Sequence, residues 1–284
     1  MMKTTRKNKI TTAITYAVLI TLGVLWLLPI GYLIYTAFRV TPSTGIINTL
    51  FPKNLRLGLE NFQRLFQETL FPRWLLNTFI VSIFACALST LFILMVSYAL
   101  SRLRFKMRKP IVNVLLILGM FPGFMSMIAI YFILKAMGLT NSLVALVLVY
   151  SGSAALSYYI CKGFFDTIPK SIEEAAVLDG ASRFTIFRKI ILPLSKPIIV
   201  YTVLTTFIAP WCDFIFANTI ISDREKYTVA LGLYKMINAE KSSFNDNFTV
   251  FCAGAMVVGG IIVTLFMSMQ RYYVEGVTSG AVKG

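Results

Sequence analysis

Six stretches of this chain are each long and apolar enough to cross a lipid bilayer: residues 13–37, 75–100, 111–134, 141–161, 197–220 and 250–270. A spanning helix needs about 20 mostly apolar residues, and hydrocarbon offers no partner for an unpaired backbone N–H or C=O. The blocks therefore predict an all-α integral membrane protein with six transmembrane helices. The third is interrupted by Pro122 and Gly123. The fourth contains Ser151-Gly152-Ser153-Ala154-Ala155, and small residues let helices approach closely in lipid. That run suits helix packing and equally a pore wall.

Composition agrees. Hydrophobic residues make up 57% of the chain and charged residues 14%, against roughly 45–50% and about 25% in soluble domains. The net charge of +15 comes from Lys and Arg placed between apolar blocks, not gathered on one polar face, so it does not indicate nucleic acid. There is no histidine, which excludes a histidine-based triad and removes the commonest metal ligand. Cys86, Cys161, Cys212 and Cys252 form no C-x-x-C pair and are expected to be small buried hydrophobes.

The basic residues orient the bundle. Of the 27, 17 fall in the N-terminus, the loops after spans two and four, and the tail, against 10 in the other loops. Short basic loops stay cytoplasmic, so both termini and residues 162–196 are expected inside. The basic start before the first block resembles a secretory signal, but the apolar core is too long and no small-residue cleavage site follows, which favours an uncleaved span. In "LENFQRLFQETLF", Phe62, Leu65, Phe66 and Leu70 share a helical face suited to the outer membrane–water boundary. Residues 221–249, with four basic and four acidic side chains, read as a polar loop: a solvated connector or a contact for a soluble partner.

One charged insert stands out, "SIEEAAVLDGASRFTIFRKIILP", residues 171–193. Ser171 and Glu174 match an S-x-x-E capping box after Pro169. Gly180 supplies the backbone freedom a helix end requires, and Ser182 can cap a second helix with Phe184, Phe187, Ile190 and Ile191 as its apolar positions. Pro193 ends or bends that helix. The product is a helix–turn–helix hairpin that either only joins spans four and five or wedges into a cleft on a cytoplasmic partner.

Glu174-Ala175-Ala176, Gly180 and Ile190-Ile191-Leu192-Pro193 reproduce the "EAA---G---------I-LP" signature, and on these residues the chain resembles the membrane permease subunits of ABC importers. The likeness covers nearly the whole chain. With "NFQRLF", "PWCDFIFA" and the terminal "GVTSGAVKG", it is similar to the smaller permease subunit of the maltose/maltodextrin family, in which Asn more often stands at the position of Cys212.

The resemblance implies a type I importer fold in a single permease domain, 1–284. Residues 171–193 would form a coupling helix on a dimeric ATPase, with Glu174, Ala175, Ala176, Gly180, Ile190, Leu192 and Pro193 as its coupling residues. The tail 276–284 would also reach the ATPase. It further implies a second homologous permease subunit, an extracytoplasmic sugar-binding protein near the 221–249 loop, and an oligosaccharide substrate in a bacterial inner membrane. No G-x-x-x-x-G-K-[ST] loop is present, so ATP and Mg would be bound by the partner and the chain itself would be non-catalytic, without cofactor or metal.

In span five, Trp211, Asp213 and Asn218 are candidates for the substrate path. Asp213 is also the one clear intramembrane acid, the feature an ion-coupled secondary transporter would need.

Overall fold

A computed structural model describes residues 6–40, 56–120, 123–238 and 243–281. The helices in chain order are α1 (Arg6–Phe38), α2 (Glu60–Gln67), α3 (Phe71–Arg102), α4 (Arg108–Met120), α5 (Gly123–Ala136), α6 (Leu143–Gly152) and α7 (Ala155–Thr167). They continue with α8 (Lys170–Leu178), α9 (Arg183–Ile186), α10 (Leu192–Leu194), α11 (Lys196–Cys212), α12 (Ile215–Ile220), α13 (Val229–Asn238) and α14 (Ser243–Ala281). Thr11–Phe38, Phe71–Arg102 and Asn247–Arg271 are each long and apolar enough to span a membrane. Among the described residues, three bent pairs bring the total to as many as six if each counts as one span.

The chain forms two units. Unit one holds residues 1–69 and 235–259; unit two holds 70–234 and 260–284. In unit one, β1 (Arg39–Val40) pairs antiparallel with β2 (Arg56–Leu57). Buried Asn61 on α2 donates from Nδ2 to the carbonyls of Ala37 and Arg39, at 2.9 Å each. The amphipathic reading of α2 holds at Leu65, which is buried, and the Phe62 ring lies 5.2 Å from that of Phe38, tilted by 48°, whereas Phe66 is exposed and Leu70 lies beyond the helix.

Unit two is organised around α3. Two of its serines face neighbouring helices and donate to their carbonyls: Ser89 Oγ to Tyr150 at 3.2 Å, and Ser97 Oγ to Tyr158 at 2.9 Å. Small hydroxyl residues permit that approach and make the interhelical bonds. Span four bends by 42° between α6 and α7, at the small-residue run. There Ser151 and Ser153 hydroxyls turn back to the carbonyls of Leu148 and Val149, both at 2.8 Å, which bends helices.

Three expectations are corrected. The 197–220 block is not one helix: α11 ends at Cys212, and Asp213 and Phe214 separate it from α12. Cys212 is exposed, unlike the three other cysteines. The 221–249 stretch is not a uniform polar loop, because its "VALGLY" segment starts α13 and buries Val229, Leu231 and Leu233. Within the third block, Pro122 lies outside the described residues, between α4 and α5. Likewise α14 carries the tail through Ala281, and 282–284 lie outside them.

Candidate functional site

The 171–193 insert is a helical hairpin whose turn is fixed by local chemistry. The Ala181 N–H donates to the Ala176 carbonyl at 2.9 Å and the Gly180 N–H to Val177 at 3.0 Å. Together they form a Schellman closure that satisfies the last carbonyls of α8. Gly180 sits at φ +80°, and nothing lies within 4 Å of the point a Cβ would occupy, so its requirement is conformational and not steric. Ser182 then caps α9, its Oγ accepting from the Thr185 N–H at 3.2 Å.

The capping box at the hairpin's start does not form. Pro169, at φ −58°, immediately precedes the helix, which begins at Lys170 and places Ser171 inside the first turn with no side-chain cap. Proline's fixed φ admits the helix early. Glu174 is exposed, and Glu173 is the carboxylate that turns inward.

Glu173 meets Arg102, the last residue of α3. Arg102 Nε lies 2.7 Å from Glu173 Oε1, with both side chains almost sealed from solvent, at 2% and 6% exposure. Arg102 Nη2 also donates to the carbonyls of Phe165 (2.6 Å) and Ile168 (2.8 Å) at the end of α7. Beside it, Ser101 Oγ donates to Asp166 at 2.6 Å, Lys162 pairs with the same carboxylate, and Arg108 reaches the Ser101 carbonyl at 2.9 Å. A cleft of about 550 Å³ opens here, lined by residues that include Arg104, Arg108, Glu174, Leu178 and Arg183.

The second arm provides the apolar underside. Ile186 and Ile191 are fully buried with Phe165, while Ala176, Phe187, Ile190 and Leu192 pack against that cluster. Phe187 and Tyr98 rings lie 4.8 Å apart. Between α9 and Pro193 the chain widens into a π-helix, Phe187–Ile191, and Lys196–Cys212 then departs at 83°. Proline removes the N–H of a regular turn and crowds the carbonyl four residues back, which accounts for the local change of pitch.

The outward face stays apolar: Leu178 is 88% exposed and Phe184 66%, with Ile172 and Val177 also exposed. Phe184, an expected packing position of the second helix, faces out instead. Glu174 and Arg183, which line the adjoining cleft together with Leu178, set charge beside these apolar side chains.

A second polar cluster lies in span five. Asp213 Oδ2 accepts from the Tyr150 hydroxyl at 2.7 Å, and Oδ1 accepts from the Phe216 N–H at 3.0 Å. Trp211 is buried, edge-on to Phe79 at 4.8 Å, and Asn218 is exposed.

Residues 91–275 match the family described as "Binding-protein-dependent transport system inner membrane component". The chain belongs to this family. It is 34% identical to the maltodextrin transport system permease protein MalD of Streptococcus pneumoniae, over 98% of both chains. It is 33% identical to the galactooligosaccharides transport system permease protein GanQ of Bacillus subtilis, over 95% of both. Its fold resembles a bacterial ABC transporter involved in the import of the acidic polysaccharide alginate, with a TM-score of 0.79, 96% of this chain and 100% of that chain covered, and 21% identity.

In this transport-system membrane component, the signature residues divide between two tasks. Glu174, Ala175, Gly180 and Pro193 face outward, whereas Ala176, Ile190 and Leu192 pack against the core cluster. The structure brings these seven together on one hairpin. It does not gather Trp211, Asp213 and Asn218 on one open surface, since Trp211 is buried and Asn218 exposed. Arg102, Glu173 and Leu178 are not among the candidate coupling or substrate-path residues of the sequence. The adjacent carboxylates at 173 and 174 carry a signal for Glu173 alone: successive helical residues point about 100° apart, so the two carboxylates cannot share one surface.

Proposed function

We propose that this chain is a permease subunit of an ATP-driven importer and carries part of the path for a maltodextrin-like oligosaccharide. Family membership and the full-length likeness to oligosaccharide permeases support the transport role. The observation that carries the coupling role is the α8–α9 hairpin, braced from beneath and apolar on its outer face. Such a surface receives a soluble partner, here a dimeric ATPase that binds ATP and Mg. Glu174, Ala175 and Gly180 shape the contact, and the tail 276–284 adds to it.

A second homologous permease subunit completes the bundle, and an extracytoplasmic binding protein delivers the sugar on the side of residues 221–249. Both termini and the hairpin lie in the cytoplasm, as the 17-to-10 division of basic residues indicates. Trp211, Asp213 and Asn218 belong to the sugar path. Asp213 has two neutral donors as partners, Tyr150 and the Phe216 amide, which suits a positioned polar group.

The test is uptake by proteoliposomes holding this chain, its partner permease, the ATPase and the binding protein, with a panel of malto- and galacto-oligosaccharides. ATP-dependent maltodextrin uptake is expected. Uptake driven by an ion gradient without ATP would overturn the reading.

A further inference from the structure

We infer that the Arg102–Glu173 pair is the mechanical link through which movement of α8 is handed to the membrane helix α3, and that Arg102 and Glu173 are positioning residues for coupled transport. This rests on the reading that α8 docks an ATPase. Three helix ends converge on one guanidinium: the C-terminus of α3, which carries Arg102; the C-terminus of α7, whose carbonyls at Phe165 and Ile168 it bonds; and the first turn of α8, which carries Glu173. Each charge suits its helix end, a cation at two C-termini and a carboxylate at an N-terminus.

A buried ion pair is a poor device for stability alone, because desolvation offsets most of its attraction. This one is also under-satisfied: the Nε–Oε1 approach is not a well-angled hydrogen bond, and Arg102 Nη1 has no hydrogen-bond acceptor among the described residues. Its contribution is therefore geometric. It fixes the direction and distance between α8 and α3, where the apolar underside, made largely by the second arm, could slide. Glu174, one position along, is exposed and takes no part, so the two carboxylates divide the work: one faces the partner and one faces the span.

The experiment uses the complete complex. Glu173→Ala cuts the α8 side of the link and leaves Arg102 bound to the α7 carbonyls. Glu173→Gln keeps an acceptor for Arg102. The readouts are ATPase co-purification, ATP hydrolysis, sugar moved per ATP, and the distance between spin labels at Lys170 and Leu91.

The ATPase is expected to co-purify normally with Glu173→Ala and to hydrolyse ATP, while sugar moved per ATP falls about fivefold or more, within the range of ordinary coupling effects. Glu173→Gln should fall in between. The label distance should be narrow and unchanged by ATP in the parent, and broad in Glu173→Ala. Parental sugar per ATP in Glu173→Ala, or a parental label distance, overturns the proposal. So does loss of the ATPase from that variant, which would make Glu173 a docking residue. If Glu173→Ala does not accumulate, an unchanged distance in Glu173→Gln overturns it. Failure of the parent chain to recruit any ATPase would instead break the reading of α8 as a docking helix, and the distance measurement separates the two.

Discussion

The two ends of α3 hold on to neighbouring segments in different ways. At Arg102 the grip is ionic and buried. At the other end Trp74 Nε1 donates to the Arg224 carbonyl at 2.8 Å, Asn77 donates to the carbonyls of Glu225 (2.8 Å) and Tyr227 (3.0 Å), and Thr78 Oγ1 accepts from the Val229 N–H at 2.8 Å. Those contacts are neutral and local to one short stretch, residues 224–229, and the ion pair that joins the same segments, Arg73 with Glu225, is half-exposed. Neutral bonds fail singly at a modest cost, whereas a buried charge that loses its partner fails at a large one. One helix thus carries a distributed clasp at one end and a single critical joint at the other.

The difference is sharpest in Arg102→Met. It strands Glu173 and two α7 carbonyls, and should lower the stability of unit two by roughly 3–5 kcal/mol, read as a drop in the thermal midpoint of the purified chain in detergent. Pairing it with Glu173→Met should recover the share of that loss due to the stranded carboxylate. A single-variant loss below that of a neutral bond would erase the contrast between the ends.

The clasp is tested next by Gly232→Ala. A Cβ there would lie 2.1 Å from Trp74 Cε3. The ring cannot yield without straining its bond to Arg224, so overpacking should cost about 1–3 kcal/mol, again measured as a thermal midpoint. Gly180→Ala should cost less, on the order of 1–2 kcal/mol, because the space is open and only the positive φ resists a side chain. Its effect should appear as faster amide exchange at residues 179–182. Smallest is Arg73→Gln, which removes a half-exposed 3.0 Å pair with Glu225. A change of about 0.2–1 kcal/mol is expected, shrinking further in high salt.

What the sequence disclosed was local. Gly180, Ser182 and the apolar Ile190–Ile191 were legible because caps, turns and packing faces follow from residues a few positions apart. The six apolar blocks revealed the membrane class for the same reason. Arg102 and Glu173 were not legible as a pair, because their meeting depends on how α3, α7 and α8 pack. Ser171-x-x-Glu174 misled because Pro169 starts the helix earlier than a capping box requires. The charges of 221–249 masked a six-residue apolar run, one face of which is buried, with Gly232 set against Trp74. Asp213 was visible as an intramembrane acid, but its Tyr150 donor lies on another span.

If the outer face of the α8–α9 hairpin grips an ATPase, Leu178 is the side chain that should show it. It is the most exposed apolar residue on that face, so replacing it has little effect on folding. The measurement is the amount of ATPase that co-purifies with Leu178→Asp relative to the parent in the reconstituted complex. A fall of about tenfold is predicted, equivalent to a loss of about 1.4 kcal/mol of association energy, with the thermal midpoint of the chain unchanged. Parental ATPase recovery with Leu178→Asp would contradict docking through this face.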